Sequence, residues 1–160
     1  MARQVVVWEY EALFEKAGLK PVLVSVPSLA LVNLVRRDSS RRGLLINLED
    51  ETLTLLALAD PGWALYRQKD VRTAGGPGAV ERADNIVWEA ENTIRFLEDK
   101  EKSRIDKLWI RCAIEAETTE VMHRLQDRID LPIEAIDYEA PRVWTEAQKA
   151  VLAPLIGQIL

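Results

Sequence analysis

Few side chains in this sequence combine the type and spacing that chemistry needs. His123 is the lone histidine, set between Met122 and Arg124 in a helical pattern with no cysteine beside it. A metal site needs several converging ligands, so His123 reads as a surface or boundary residue and no metal is expected. Cys112, the single cysteine, has no base partner in its pattern that would make it a nucleophile. Ser25, Ser28, Ser39, Ser40 and Ser103 lie in no Gly-x-Ser-x-Gly elbow. Gly75-Gly76-Pro77-Gly78 precedes a helical stretch, and such a loop can cradle phosphate on its backbone N–H groups. It lacks the Lys-Ser/Thr ending of a P-loop and the dinucleotide spacing, so a plain loop entering a helix is the simpler reading. Glu49/Asp50, Glu98/Asp99 and Asp137/Glu139 are acid/base candidates by type, though most such carboxylates are solvated surface.

The totals narrow the classes. At 160 residues and 48% hydrophobic, the chain can bury one real core. A net charge of −5 argues against nucleic acid, whose binders present a basic face. One cysteine excludes an internal disulfide and fits a reducing compartment. The N-terminus, MARQVVVWEYE, turns acidic too early for a signal peptide. No run reaches the ~18 apolar residues of a membrane span; the longest, Val22 to Val35, is interrupted by Pro27 and Asn33. A cytoplasmic protein without a direct membrane span is the expectation.

The elements that must position these residues follow from periodicity. Residues 2–17 place Val6, Tyr10, Leu13 and Ala17 on one helical face, and Gly18 sits at a left-handed C-cap. Pro21 to Val26 (PVLVSV) reads as a strand, and Pro27 opens a helix with Leu29, Ala30 and Leu34. The connector Arg36-Arg37-Asp38-Ser39-Ser40-Arg41-Arg42 marks a boundary; its arginines are a solvated linker or a phosphate or headgroup patch. Gly43 to Lys69 then reads as three strands in a meander, turned at Glu49-Asp50-Glu51 and at Asp60-Pro61-Gly62. Ala79, Ala83, Ile86, Val87, Ala90, Ile94 and Leu97 make an apolar helical stripe, opposed by Glu81, Arg82, Glu89, Glu91, Arg95 and Glu98. Asp106 to Cys112 is a strand with Leu108, Ile110 and Cys112 on one side and Trp109 on the other. Glu117 to Asp130 is a helix with Val121, Met122, Leu125 and Ile129 facing in, and Leu131 to Tyr138 is a strand. Thr145 can cap a last helix carrying Ala147, Val151, Leu155 and Ile159, which Pro154 should kink or divide. From Gly43 the order is βββαβαβα, a mixed α/β sheet of the ribonuclease H-like type used by actin-like ATPases. A two-metal nuclease on such a sheet would pair a carboxylate near Asp137-Tyr138-Glu139 with an Asp on the first strand. That position holds Asn47, so nuclease activity is not expected.

Four stretches in this order resemble the PilM family of type IV pilus assembly proteins, actin-like proteins related to the cell-division protein FtsA. Tyr10 to Val35 is similar to the segment joining that family's two domains. LLINLEDETLTLLAL resembles its second-domain phosphate loop, with Tyr66-Arg67 and Gly75-Gly76 similar to an arginine and paired glycines beyond the hairpin. IDKLWIRCAIEAETTEVMHRLQDRIDLPIEAID resembles the strand-helix-strand that contacts adenosine, and LAPLIG (Leu152 to Gly157) a closing Leu-Ala-Pro…Gly motif. The resemblance implies two parts: residues 1–38, a helix-strand-helix remnant of a first actin-like domain, and residues 43–160, a second actin-like domain. It also implies that the chain covers about the second half of the family's usual length.

The implied nucleotide positions are Asn47, Glu49, Thr52, Thr54, Gly75, Gly76 and Arg111. Where the family has Asp-hydrophobic-Gly and then Thr, this chain has Asn47 and Glu49 followed by Asp50 and Glu51. An amide replaces the carboxylate that acts through Mg²⁺, and a glutamate replaces the glycine that lets backbone approach phosphate. A like-charge contact at ~4 Å and an effective dielectric near ~20 is unfavourable by about 4 kcal/mol before screening. The paired glycines of the adenosine turn fall at Arg111-Cys112, where side chains would take the purine's space. The expectation is therefore no cofactor and no catalysis: a scaffold of a pilus or secretion-type inner-membrane assembly, peripheral to that membrane. Its implied partner is the cytoplasmic tail of a bitopic, PilN-like protein. The alternative is an ATP-binding actin-like protein, or half of an ATPase completed by another chain, with ATP and Mg²⁺. For partner contacts, Val22, Val24 and Val26 would form an unpaired strand face, so residues 1–35 are expected either to add to the local sheet or to mediate association between chains. Trp8 and Trp63 are either core aromatics or partner anchors.

Overall fold

The computed structural model describes residues 4–21, 25–35, 42–59, 62–71, 79–100, 102 and 104–159. Its centre is a five-stranded mixed sheet in the order β3-β2-β1-β4-β5. Strands β1 (Gly43–Leu48), β2 (Thr52–Leu58) and β3 (Trp63–Asp70) form the antiparallel meander, and β4 (Lys107–Cys112) and β5 (Ile133–Ala135) extend it in parallel. Asp60 and Pro61 lie outside the described residues, but Gly62 has φ +95 and its carbonyl accepts the Ala59 N–H at 3.1 Å, as a tight hairpin requires. Strands β1 and β4 are buried along their full length because helices cover both faces.

One face carries α3 (Ala79–Asp99) and α4 (Glu115–Arg128), which pack on Leu44, Ile46, Leu48, Leu53, Leu55 and Leu108. The other carries α2 (Pro27–Val35) and α5 (Glu146–Ile159), with Leu31, Val32, Leu45, Leu56 and Trp109 between them and the sheet. The two helices approach closely at Gly157: a Cβ there would lie 2.1 Å from the Ala30 carbonyl oxygen, and Asn33 Nδ2 donates to the Gly157 carbonyl at 2.7 Å.

Several expectations change. Helix α1 (Gln4–Lys16) forms and ends at Gly18 with φ +75, yet none of its residues is buried. Pro21, Ser25 and Val26 are not in a strand, and Val22 and Val24 lie outside the described residues, as does most of the arginine connector. Strand β5 is shorter than the Leu131 to Tyr138 prediction, because pairing with β4 ends near Ala135. On α3, Glu89 is buried rather than solvated: Arg67 and Lys69 of β3 approach its carboxylate at 2.6 and 3.4 Å. Thr93, on the same flank, accepts from Arg67 at 3.1 Å. On α5, Ala153 and Gly157 face in, whereas Val151, Leu155 and Ile159 face outward; close helix packing selects the small residues over the larger apolar ones. Thr145 does cap the helix: its Oγ1 accepts from Gln148 N at 3.2 Å while Gln148 Oε1 accepts from Thr145 N at 2.9 Å, a reciprocal capping box.

Candidate functional site

The sheet register builds the site. Asn47 of β1 lies opposite Thr54 of β2 and beside Arg111 of β4, so the three form one row across the sheet. By strand alternation this row belongs to the face covered by α2 and α5. Asn47 and Thr54 are buried, and Thr52 is half-buried two residues along from Thr54. Gly75 and Gly76 lie outside the described residues, so the structure brings together Asn47, Glu49, Thr54 and Arg111 from the sequence-derived set.

At its centre is the guanidinium of Arg111, whose side chain is only 4% exposed. Its Nη1 donates to Asn47 Oδ1 at 2.8 Å and to Glu49 Oε1, Nε donates to the Ala150 carbonyl at 2.7 Å, and Nη2 to the Val151 carbonyl at 3.3 Å. The Asn47 amide completes the network by donating Nδ2 to Ser28 Oγ at 3.0 Å and to Glu49 Oε1 at 3.4 Å. Four elements, α2, β1, β4 and α5, thus meet through two side chains, Arg111 and Asn47.

This geometry also explains why Pro154 does not divide α5. Proline has no N–H, so the carbonyl four residues earlier, that of Ala150, loses its helical donor. Arg111 Nε supplies the missing bond from the neighbouring strand. The helix therefore continues to Ile159.

The acidic turn is tied down separately. Arg82 of α3 donates Nη2 to the Glu49 carbonyl at 2.9 Å and to the Asp50 carbonyl, and its Nη1 lies 3.4 Å from Glu117 of α4. Sequence periodicity placed Arg82 on a solvated face; it lies instead at the flank of the buried stripe. A basic residue one turn into a helix near an acidic turn was the available signal.

Beside Arg111, at the carboxyl ends of β4 and β5, is a cleft of about 250 Å³. Thr118, Thr119, Asp137, Tyr138 and Lys149 contribute to its lining. The crevice outside the carboxyl ends of parallel strands is where open α/β sheets place ligands. Both basic groups that line it already have acidic partners: Arg111 has Glu49, and Lys149 Nζ lies 2.8 Å from Glu146. The hydrogen bond to Glu146 raises the Lys149 pKa further. Burial raises that of the Tyr138 phenol, which donates to the Lys149 carbonyl at 2.6 Å. Burial also pushes the Cys112 thiol up to about 11, so it is an unreactive thiol at neutral pH. His123 is exposed on α4 with Nδ1 3.2 Å from Asp127, and no metal-binding cluster of His, Cys, Asp or Glu occurs among the described residues. Trp8, Trp63 and Val26 are all at the surface, the two tryptophans more than half exposed.

As folded, the residues at the position that the resemblance compares with a phosphate loop do not fit a nucleoside triphosphate with its magnesium. The donors there are turned inward onto Asn47, Glu49 and α5 carbonyls, and the carboxylate that approaches them is the protein's own. Glu49 does not stand as a bare repulsive charge, as its sequence context suggested; it is ion-paired with Arg111.

No family model and no curated protein sequence matches the chain. Among solved structures, the chain is similar to one in the PilM-PilN type IV pilus biogenesis complex, with TM-score 0.72 at 16% identity over 98% of this chain and 57% of that one. Weaker similarity links it to a Bacteroides thetaiotaomicron protein with an actin-like ATPase fold (TM-score 0.49, 10% identity, 68% of this chain and 37% of that). Another is Ta0583, an archaeal actin homolog in complex with ADP (TM-score 0.49, 12% identity, 80% of this chain and 52% of that). The chain spans little more than half of the first of these. No helix among the described residues is long and apolar enough to cross a membrane. The fold is that of the actin-like, ribonuclease H-like class.

Proposed function

We propose that the chain is a non-catalytic protein-binding module built on an actin-like domain. It works in a pilus-type or secretion-type inner-membrane assembly and binds the cytoplasmic tail of a bitopic, PilN-like partner from the cytoplasmic side. The observation that carries this reading is the Arg111 network: the side chains of the phosphate-loop position are committed to one another and to α5. Likeness to a chain of the PilM-PilN complex supports the assembly context.

A second reading, half of an ATPase completed by another chain, draws support from the cleft beside Arg111. Titration of a fluorescent ATP analogue with Mg²⁺ separates the two. The module reading expects no saturable binding up to millimolar nucleotide. Micromolar binding that weakens on substitution of Asn47 or Thr52 would overturn it in favour of the second.

A further inference from the structure

Helix α1 is 13 residues long and buries none of them. A helix of that length is marginal in water by itself, so its stability must come from something packed on its apolar stripe. That stripe comprises Val6, Tyr10, Leu13 and Phe14, which are 42, 59, 62 and 44% exposed. Helix α5 has a matching deficit. Val151, Leu155 and Ile159 are 54, 61 and 80% exposed, on the side away from the Ala153 and Gly157 positions that face the interior. The segment 150–159 contains no charged residue. Val6, Tyr10 and Phe14 share the four-residue spacing of Val151, Leu155 and Ile159, and each line runs about 12 Å at the helical rise.

We propose that these two stripes cover one another between two copies of the chain, α1 of each lying antiparallel on α5 of the other. Antiparallel docking opposes the helix dipoles and sets the last turn of α1 beside the first turn of α5, where Glu146 is paired with Lys149. With ~100 Å² of open surface on each of these side chains, the reciprocal pair of contacts removes on the order of 1,400 Å², within the range of stable complexes. A bilayer is the poorer occupant, because the polar sides of α1 carry Glu9, Glu11 and Glu15 against Lys16, the wrong sign for an anionic surface. This inference stands apart from the nucleotide reading, and either can fail alone.

Sedimentation velocity of the full chain over a micromolar concentration series tests it, with far-UV circular dichroism to confirm folding. A dimer is expected. Leu13→Glu and Leu155→Glu should each weaken it at least tenfold, and Leu13→Lys combined with Leu155→Glu should restore association. Oxidation of a Tyr10→Cys/Leu155→Cys chain should give a covalent dimer, since Cys112 is buried. A monomer at every concentration overturns the proposal. So does an intramolecular Tyr10→Cys/Leu155→Cys disulfide, which would place α1 on its own α5. Vesicle binding by a monomer that Leu13→Glu abolishes would assign the stripe to lipid and overturn it equally.

Discussion

The bond from Arg111 to the carbonyl left open by Pro154 makes a quantitative prediction. Replacing Arg111 with Met keeps the aliphatic bulk but removes every donor of the guanidinium. Asn47 Oδ1, which is buried, and the Ala150 carbonyl lose their hydrogen bonds. At roughly 1–3 kcal/mol for each buried group left unpaired, the loss should be about 3 kcal/mol. Glu49 adds little, because its side chain is 37% exposed and water can take over from Arg111. Pro154→Ala returns an N–H to position 154, which can donate to the Ala150 carbonyl within the helix. In that background Arg111→Met strands one acceptor fewer, so its cost should fall by about 1 kcal/mol or more. Urea denaturation of the wild type, the two single variants and the double variant gives the coupling energy, read from midpoints at constant m-value. Costs that add to within about 0.5 kcal/mol would show that Arg111 does not serve the proline-opened carbonyl, and the account of the unbroken α5 would be wrong.

Two further outcomes follow from the same packing. Gly157→Ala should destabilise by about 1–3 kcal/mol in thermal or urea denaturation, because its Cβ would lie 2.1 Å from the Ala30 carbonyl oxygen and α2 and α5 would have to separate. For Cys112, the folded pKa of about 11 exceeds the ordinary 9.0, so the folded state holds the proton more tightly than the unfolded chain. Its contribution is intact below pH 9 and is lost as pH rises toward about 11, by on the order of 3 kcal/mol. Comparing the pH dependence of wild-type and Cys112→Ala stability isolates it; identical slopes above pH 9 would refute the burial argument.

How much of this was legible beforehand differs element by element. The three-strand meander was readable because turn residues bracket short runs rich in Leu, and α3 because its stripe has helical period over 21 residues. The last helix was placed correctly but turned the wrong way. Its large apolar residues satisfied the periodicity, and only the distance between α2 and α5 decides that Ala153 and Gly157 go inside. Glu89 was misread for a related reason: periodicity counts it as polar and therefore solvated, whereas Arg67 and Lys69 reach it from a strand about twenty residues earlier in the chain.

From the sequence alone came the order of elements and the mixed sheet. Those are local properties, carried by residue type and short-range spacing. Only the tertiary structure decided that Arg111, 64 residues beyond Asn47, sits beside it in register and binds both the strand and the carbonyls of α5. Register between parallel strands is set by the helices that join them and by the cores on both faces. No local pattern contains it, and for that reason the closed network at the site could be seen only once the chain was folded.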